Sequence, residues 1–132
     1  MDVRYEWRAA FDNAAVNALH ADGFDHALLD LDWWNQVERH SLGWVCALEA
    51  DRLIGFVNVA WDGGAHAFVV DTVVERARRH AGVGRGLLDV ATRESRAAGC
   101  DWLHVDFEEE LREFYVGECG FAPTSAGLIA LR

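Results

Sequence analysis

Val73-Val74-Glu75-Arg76-Ala77-Arg78-Arg79-His80-Ala81-Gly82-Val83-Gly84-Arg85-Gly86 joins a β-branched apolar run to a stretch with helical periodicity. Residues 65–74 read as a strand. Leu87, Leu88, Ala91, Ser95 and Ala98 mark the buried face of a helix that Gly99 stops. Glycines at 82, 84 and 86 let the backbone come close to a ligand, and a helix starting near Gly84 points unpaired N–H groups into the loop. Unpaired amides at the positive end of a helix dipole make an anion site suited to phosphate, and arginines beside it add charge-assisted hydrogen bonds. A structural turn is the competing reading of the glycines alone. The strand before them and the helix after them favour phosphate.

Downstream, 102–105 is a short strand that the crossover makes parallel to the strand before the loop. The acidic run Glu108-Glu109-Glu110 then opens a helix with Leu111, Phe114 and Tyr115 on one face, ended by Gly120 and Pro123. Residues 127–131 read as a terminal strand paired with Phe121-Ala122. Upstream, Val3, Tyr5 and Trp7 alternate with charged residues as a half-buried strand. Asp12 caps a helix carrying Ala14, Ala15, Ala18 and Leu19 that ends before Gly23. A second helix spans 25–40, with Leu29, Trp33 and Val37 on one face. Three strands follow at 44–48, 53–61 and 65–74, and the tight turns at Ala50-Asp51-Arg52 and Asp62-Gly63-Gly64 make them antiparallel neighbours. The fold class is α+β: one mixed, mostly antiparallel sheet with a parallel central strand pair and helices on both faces, in a single domain over 1–132.

The chain has 132 residues, 52% hydrophobic and 26% charged, with one proline, which fits one globular domain and excludes disorder and fibres. Three cysteines (Cys46, Cys100, Cys119) without a C-x-x-C pair indicate neither a disulfide framework nor a thiolate zinc site. The six histidines show no H-x-x-x-H spacing, so no metal is expected. No apolar run approaches the ~20 residues of a membrane span, and a cytoplasmic location is the expectation. All twelve basic residues are arginines, six of them between 76 and 96 beside only Asp89 and Glu94. That window is net +4 on a chain of net −10, leaving the remainder at −14. An acidic body repels nucleic acid, whereas one basic segment suits a small anion, or is simply a solvated helix face.

Among phosphate-binding loops, a chain without lysine cannot supply the Walker A motif. The dinucleotide fingerprint G-x-G-x-x-G meets G-x-G-x-G here. Asp106 matches that family's ribose-binding acid, but the connection from Val74 to Gly82 is too long and the strands upstream are antiparallel. A nucleotide-binding module remains a minor alternative. By contrast, Val73-Val74 followed by Arg79-x-x-Gly82-x-Gly84 resembles the R/Q-x-x-G-x-G/A signature of the GNAT superfamily of acetyl-CoA-dependent N-acetyltransferases. Phe114 to Phe121 is similar to that family's F-Y-x-x-x-G-F segment with one extra residue, and Ile54-Gly55-Phe56 also fits. The likeness covers essentially the whole chain.

What the resemblance implies is direct acetyl transfer from acetyl-CoA to an amine of a small molecule or peptide, without a covalent enzyme intermediate. By family position the pyrophosphate falls to Arg79, His80, Ala81, Gly82, Val83, Gly84 and Arg85, mainly through backbone, and the pantetheine arm to backbone groups of Val73 and Val74. One N–H there faces the thioester oxygen as charge develops on it. Tyr115 occupies the general-acid position, where the residue alone reads as a core tyrosine.

The family's base positions on this strand correspond to Phe68 and Val70, which take no proton. Asp71 is the nearest ionisable group. Simple alternation turns it to the opposite face, and a bulge turns it back. It is a candidate base or a structural acceptor. Glu49, Asp106, Glu108 or a water chain are the alternatives. Glu108 and Arg76 stand where many relatives carry asparagine and proline. Trp33, Trp34 and Trp44 are core or wall an acceptor pocket. The acidic body hints at a cationic acceptor, and short C-terminal strands at a homodimer. A GNAT-fold acyl-CoA sensor without catalysis is the second reading.

Overall fold

The computed structural model describes residues 2–132. Alternating apolar side chains build one five-stranded sheet in the order β1-β2-β3-β4-β5: β1 (Val3–Trp7), β2 (Ser41–Glu49), β3 (Arg52–Trp61), β4 (His66–Val74) and β5 (Trp102–His104). The first four strands pair antiparallel, while β5 runs parallel to β4. Helices α1 (Asn13–Phe24) and α2 (Trp33–His40) cover one face, and α3 (Val83–Ala97) the other. The fold is therefore the α+β arrangement expected.

Two cores result. Val45, Val57, Val59 and Val69 meet Leu87, Leu88 and Ala91 of α3, while Cys46, Phe56 and Val73 meet Val16, Leu19, Trp33 and Val37 of α1 and α2. Full burial of each such large apolar side chain is worth about 1.5–3 kcal/mol. Asn17, itself buried, ties the helical layer together. Its Oδ1 accepts from the Leu31 N–H at 3.2 Å and the Trp33 indole at 3.0 Å, and its Nδ2 donates to the Leu31 carbonyl at 3.0 Å.

Four expectations need correction. Helix α1 does not stop before Gly23 but runs through it to Phe24. A Cβ at Gly23 would lie 2.1 Å from Val73 Cγ2, so the glycine permits close packing of helix on strand. Asp12 caps α1 only through its carbonyl, whereas Asp32 supplies the side-chain cap of α2, accepting from Asn35 N–H at 3.1 Å. The second helix spans only Trp33–His40, because Asn17 and Asn13 hold the preceding segment, leaving Leu28, Leu29 and Leu31 exposed. Residues 121–132 form no strand, so the parallel pair β4–β5 lies at the end of the sheet rather than in its middle.

Candidate active site

The mouth of α3 is open. Gly82 is its N-cap at φ +84°, a left-handed conformation costly for other residues, and a Cβ there would meet nothing within 4 Å. The first bond into the helix is Gly86 N–H to the Gly82 carbonyl at 3.0 Å, and no side chain caps the end. The amides of Val83, Gly84 and Arg85 thus lack intrahelical partners at the positive end of a 15-residue helix. The other two glycines serve packing instead. A Cβ at Gly84 would press on Phe114 Cζ at 3.0 Å, and one at Gly86 would overlap the Tyr5 ring at 2.3 Å.

Loop arginines mainly anchor the loop. Arg76 donates from Nε to the Asp22 carbonyl at 2.8 Å, Arg79 to the Gly23 carbonyl at 2.7 Å, and Arg78 to Glu49 Oε1 at 2.6 Å. The Arg78 guanidinium holds the Glu49 carboxyl below its ordinary value. Arg79 therefore points back to α1, His80 sits exposed at the turn with φ +63°, and Ala81 is exposed beside it. An anion at this mouth would meet backbone before side chain.

Next to it, β4 is half unpaired. Pairing with β5 ends at Phe68 and His104, so the stretch from Val69 onward has no partner on that edge. Antiparallel ladders alternate between hydrogen-bonded and non-hydrogen-bonded pairs. Glu75 N–H donates to the Ile54 carbonyl at 2.8 Å, which makes Val74–Gly55 a non-hydrogen-bonded pair and Val73–Phe56 a hydrogen-bonded one. Val74 and Thr72 therefore offer backbone groups to the open edge. Val73 turns its own to β3 and buries its side chain against α1, a division that strand alternation alone did not assign.

A bulge interrupts the same strand. Asn58 faces Val70 and Phe56 faces Val73, so Asp71 and Thr72 share the single position opposite Val57. Asp71 takes φ +57°, which aspartate tolerates better than most residues. The bulge turns Asp71 onto the α1 face, where His20 Nε2 lies 3.2 Å from its Oδ1. His20 Nδ1 is in turn 2.7 Å from His26 Nε2, and His26 Nδ1 is 2.7 Å from the Ala27 carbonyl. Neither histidine was singled out from sequence, because their partner lies 51 positions from His20.

Tyr115 lies on the other face, buried among Phe107, Phe114 and Phe121. Burial pushes its phenol up, and the neighbouring Thr72 hydroxyl partly opposes that. It sits on a π-helical turn, Glu113–Glu118, in which Cys119 N–H reaches the Phe114 carbonyl at 2.9 Å. The five-residue reach absorbs the extra residue in the Phe114-to-Phe121 segment.

Trp33 and Trp44 are core, while Trp34 lines a shallow cavity with Asp12 and Asp32 at the end of α1 remote from His20. His104 stands on the exposed sheet face, 2.7 Å from His66 and stacked on Phe68. Burial raises the Cys46 thiol to about 12 and the Cys119 thiol to about 11. Among the described residues no group of three or more His, Cys, Asp or Glu is placed to hold a metal ion, and no helix is long and apolar enough to cross a membrane.

The family model described as Acetyltransferase (GNAT) family matches residues 4–121. No curated protein matches by sequence. Among solved structures, an acetyltransferase from Trypanosoma brucei superposes with TM-score 0.82 at 19% identity, covering 98% of this chain and 99% of that one. A GNAT family protein from Streptococcus pneumoniae gives TM-score 0.80 at 20% identity, covering 99% and 98%. AAC(6')-Iy, solved with the bisubstrate analogue CoA-S-monomethyl-acetylneamine, gives 0.77 at 15% identity, covering 100% and 99%.

Proposed function

The chain belongs to the GNAT acetyltransferase family, and on that premise we propose that it transfers an acetyl group from acetyl-CoA directly to a primary amine of a small molecule or peptide. One observation carries the reading: the uncapped amides of Val83, Gly84 and Arg85 open beside the stretch of β4 that β5 leaves unpaired. The amides fit a pyrophosphate, and the open strand edge fits an extended amide-bearing arm such as pantetheine. Arg79, His80, Ala81 and Gly82 shape the loop that brings those amides together. Thr72 and Val74 pair with the arm through backbone, and Val73 supports it by packing on Gly23.

When bound, acetyl-CoA supplies an activated acyl carbon and a thiolate leaving group. The chain's own residues then have three tasks. A backbone N–H on the open edge of β4 faces the thioester oxygen. Tyr115, kept protonated by its apolar surroundings, gives a proton to the departing sulfur. Asp71, turned out by the bulge, takes one from the incoming amine.

A cytoplasmic setting and a homodimer belong to the same reading. The dimer is built by the extended residues 121–132, whose Leu128, Ile129 and Leu131 are 83%, 86% and 92% exposed, adding to the free edge of β5 in a second copy. The test is thiol release from acetyl-CoA across a panel of polyamines, aminoglycosides and lysine peptides. Saturable release with one amine class supports transfer. Tight acetyl-CoA binding with no release for any amine would make the chain an acyl-CoA sensor instead.

A further inference from the structure

We propose that His20 and His26 extend Asp71 into a proton relay that takes the amine's proton at the β4 bulge and passes it to solvent. The inference rests on the acetyl-transfer reading for its substrate but on hydrogen-bond polarity for its existence. The Ala27 carbonyl can only accept, so His26 carries its proton on Nδ1. A neutral His26 then accepts at Nε2, which makes His20 Nδ1 a donor. A neutral His20 would consequently present an unprotonated Nε2 to Asp71 Oδ1, two acceptors facing each other at 3.2 Å. All three contacts become hydrogen bonds only when the chain holds one proton more than two neutral imidazoles and a carboxylate. That proton has three homes: on the Asp71 carboxyl, which then donates to His20 Nε2; on a doubly protonated His20; or on a doubly protonated His26, with His20 donating from Nε2 alone.

This arrangement has the properties a base requires. With the extra proton gone, the gap between His20 Nε2 and Asp71 Oδ1 attracts one. The gap is reachable, since the His20 and Asp71 side chains are 19% and 30% exposed. Phe24 and Trp33 pack on the His20 ring with centroids 4.4 and 5.2 Å away and fix its position. Other charges nearby are engaged elsewhere: Asp25 lies 3.9 Å from the Arg76 guanidinium, and Asp22 Oδ2 accepts from Arg76 N–H at 3.1 Å. Of the two protons an ammonium sheds as its nitrogen forms the amide, one enters this gap and leaves through His26. The other ends on the sulfur by way of Tyr115 as the C–S bond breaks. Atoms and charge then balance without a further reactant.

Histidine side-chain nitrogen NMR on the intact protein tests the relay without any acetyl transfer. The variant is Asp71→Asn, since asparagine tolerates the same positive φ and its amide donates to His20 Nε2, which satisfies the chain without the extra proton. At the same pH the wild type is expected to show one ring protonated on both nitrogens, and the variant both rings protonated on one nitrogen each. The same ring protonation pattern in both proteins would overturn the proposal. A second variant, His26→Phe, cuts the solvent end: kcat for the amine falls and the acidic limb of the pH profile moves, while the KM for acetyl-CoA stays. An unmoved limb would overturn the relay as well. Failure of acetyl-CoA to bind would instead sink the acetyl-transfer reading and leave the nitrogen spectra to stand on their own.

Discussion

Asp71 and Thr72 are adjacent in the chain yet serve opposite faces of the sheet: Asp71 bonds to His20 under α1, and Thr72 adjoins Tyr115 under α3. The bulge opposite Val57 decides which face each takes: continuing the alternation of Ala67 and Val69 without it would put Asp71 under α3 and Thr72 under α1. Under the proposed mechanism a proton acceptor and a proton donor thus flank one strand edge.

Replacing Tyr115 with phenylalanine keeps the ring packed among Phe107, Phe114 and Phe121 and removes only the hydroxyl. Turnover should fall roughly 10²-fold, the lower range for a general acid, with acetyl-CoA affinity kept. Burial raises the phenol above its ordinary 10.0, and the active form is the protonated one. The alkaline limb of the wild-type rate should therefore lie above pH 10 and vanish in the variant. Steady-state kinetics against pH checks both.

The three loop glycines should separate in their effects. Gly82→Ala puts a left-handed φ on alanine at a cost of about 1–2 kcal/mol, so CoA affinity should drop about tenfold and Tm should fall by about 4 °C or more. Gly86→Ala collides with the Tyr5 ring and should cost about 1–3 kcal/mol, lowering Tm by about 4 °C or more with affinity in the folded protein nearly kept. Calorimetry and thermal melts on the two variants measure the contrast.

Acid should loosen the loop. Glu49 is held below its ordinary 4.5 by the Arg78 guanidinium, so the pair contributes to stability above that value and loses the contribution as pH falls through the lowered one. Glu49→Gln should be less stable than wild type at pH 7 and nearly equal to it at pH 2. Denaturant melts at the two pH values provide the comparison.

Sedimentation tests the tail. The wild type should run as a dimer at micromolar concentration, and Ile129→Asp should run as a monomer, because the exposed tail would carry a charge into the pairing edge. A monomeric wild type would remove the tail from the account.

Much of the fold was legible because apolar alternation and turn residues act locally. The hairpin glycines, the crossover and the strand–loop–helix passage at 73–86 all read directly from neighbours in sequence. Residues 25–32 misled because Leu29 falls at helical spacing with Trp33 and Val37, while Asn13 and Asn17 from another helix hold the segment open. At the site, the uncapped α3 mouth was legible from its glycines, but the separate tasks of Gly82, Gly84 and Gly86 depend on where Phe114 and Tyr5 fall. The bulge at Asp71 was open as a possibility, since one unpaired residue leaves no mark in composition. His20 and His26 were invisible for a simpler reason: an imidazole's partner is set by tertiary contact. The extra residue before Gly120 was a visible signal, and the π-helical turn is its physical form.

Titration calorimetry with acetyl-CoA and with free CoA bears most directly on the central claim that the α3 mouth and the open edge of β4 hold a coenzyme A thioester. Both should bind with one site per chain and compete with each other, and Gly82→Ala should weaken both alike. No heat from either ligand at millimolar concentration, with the protein folded, would contradict it.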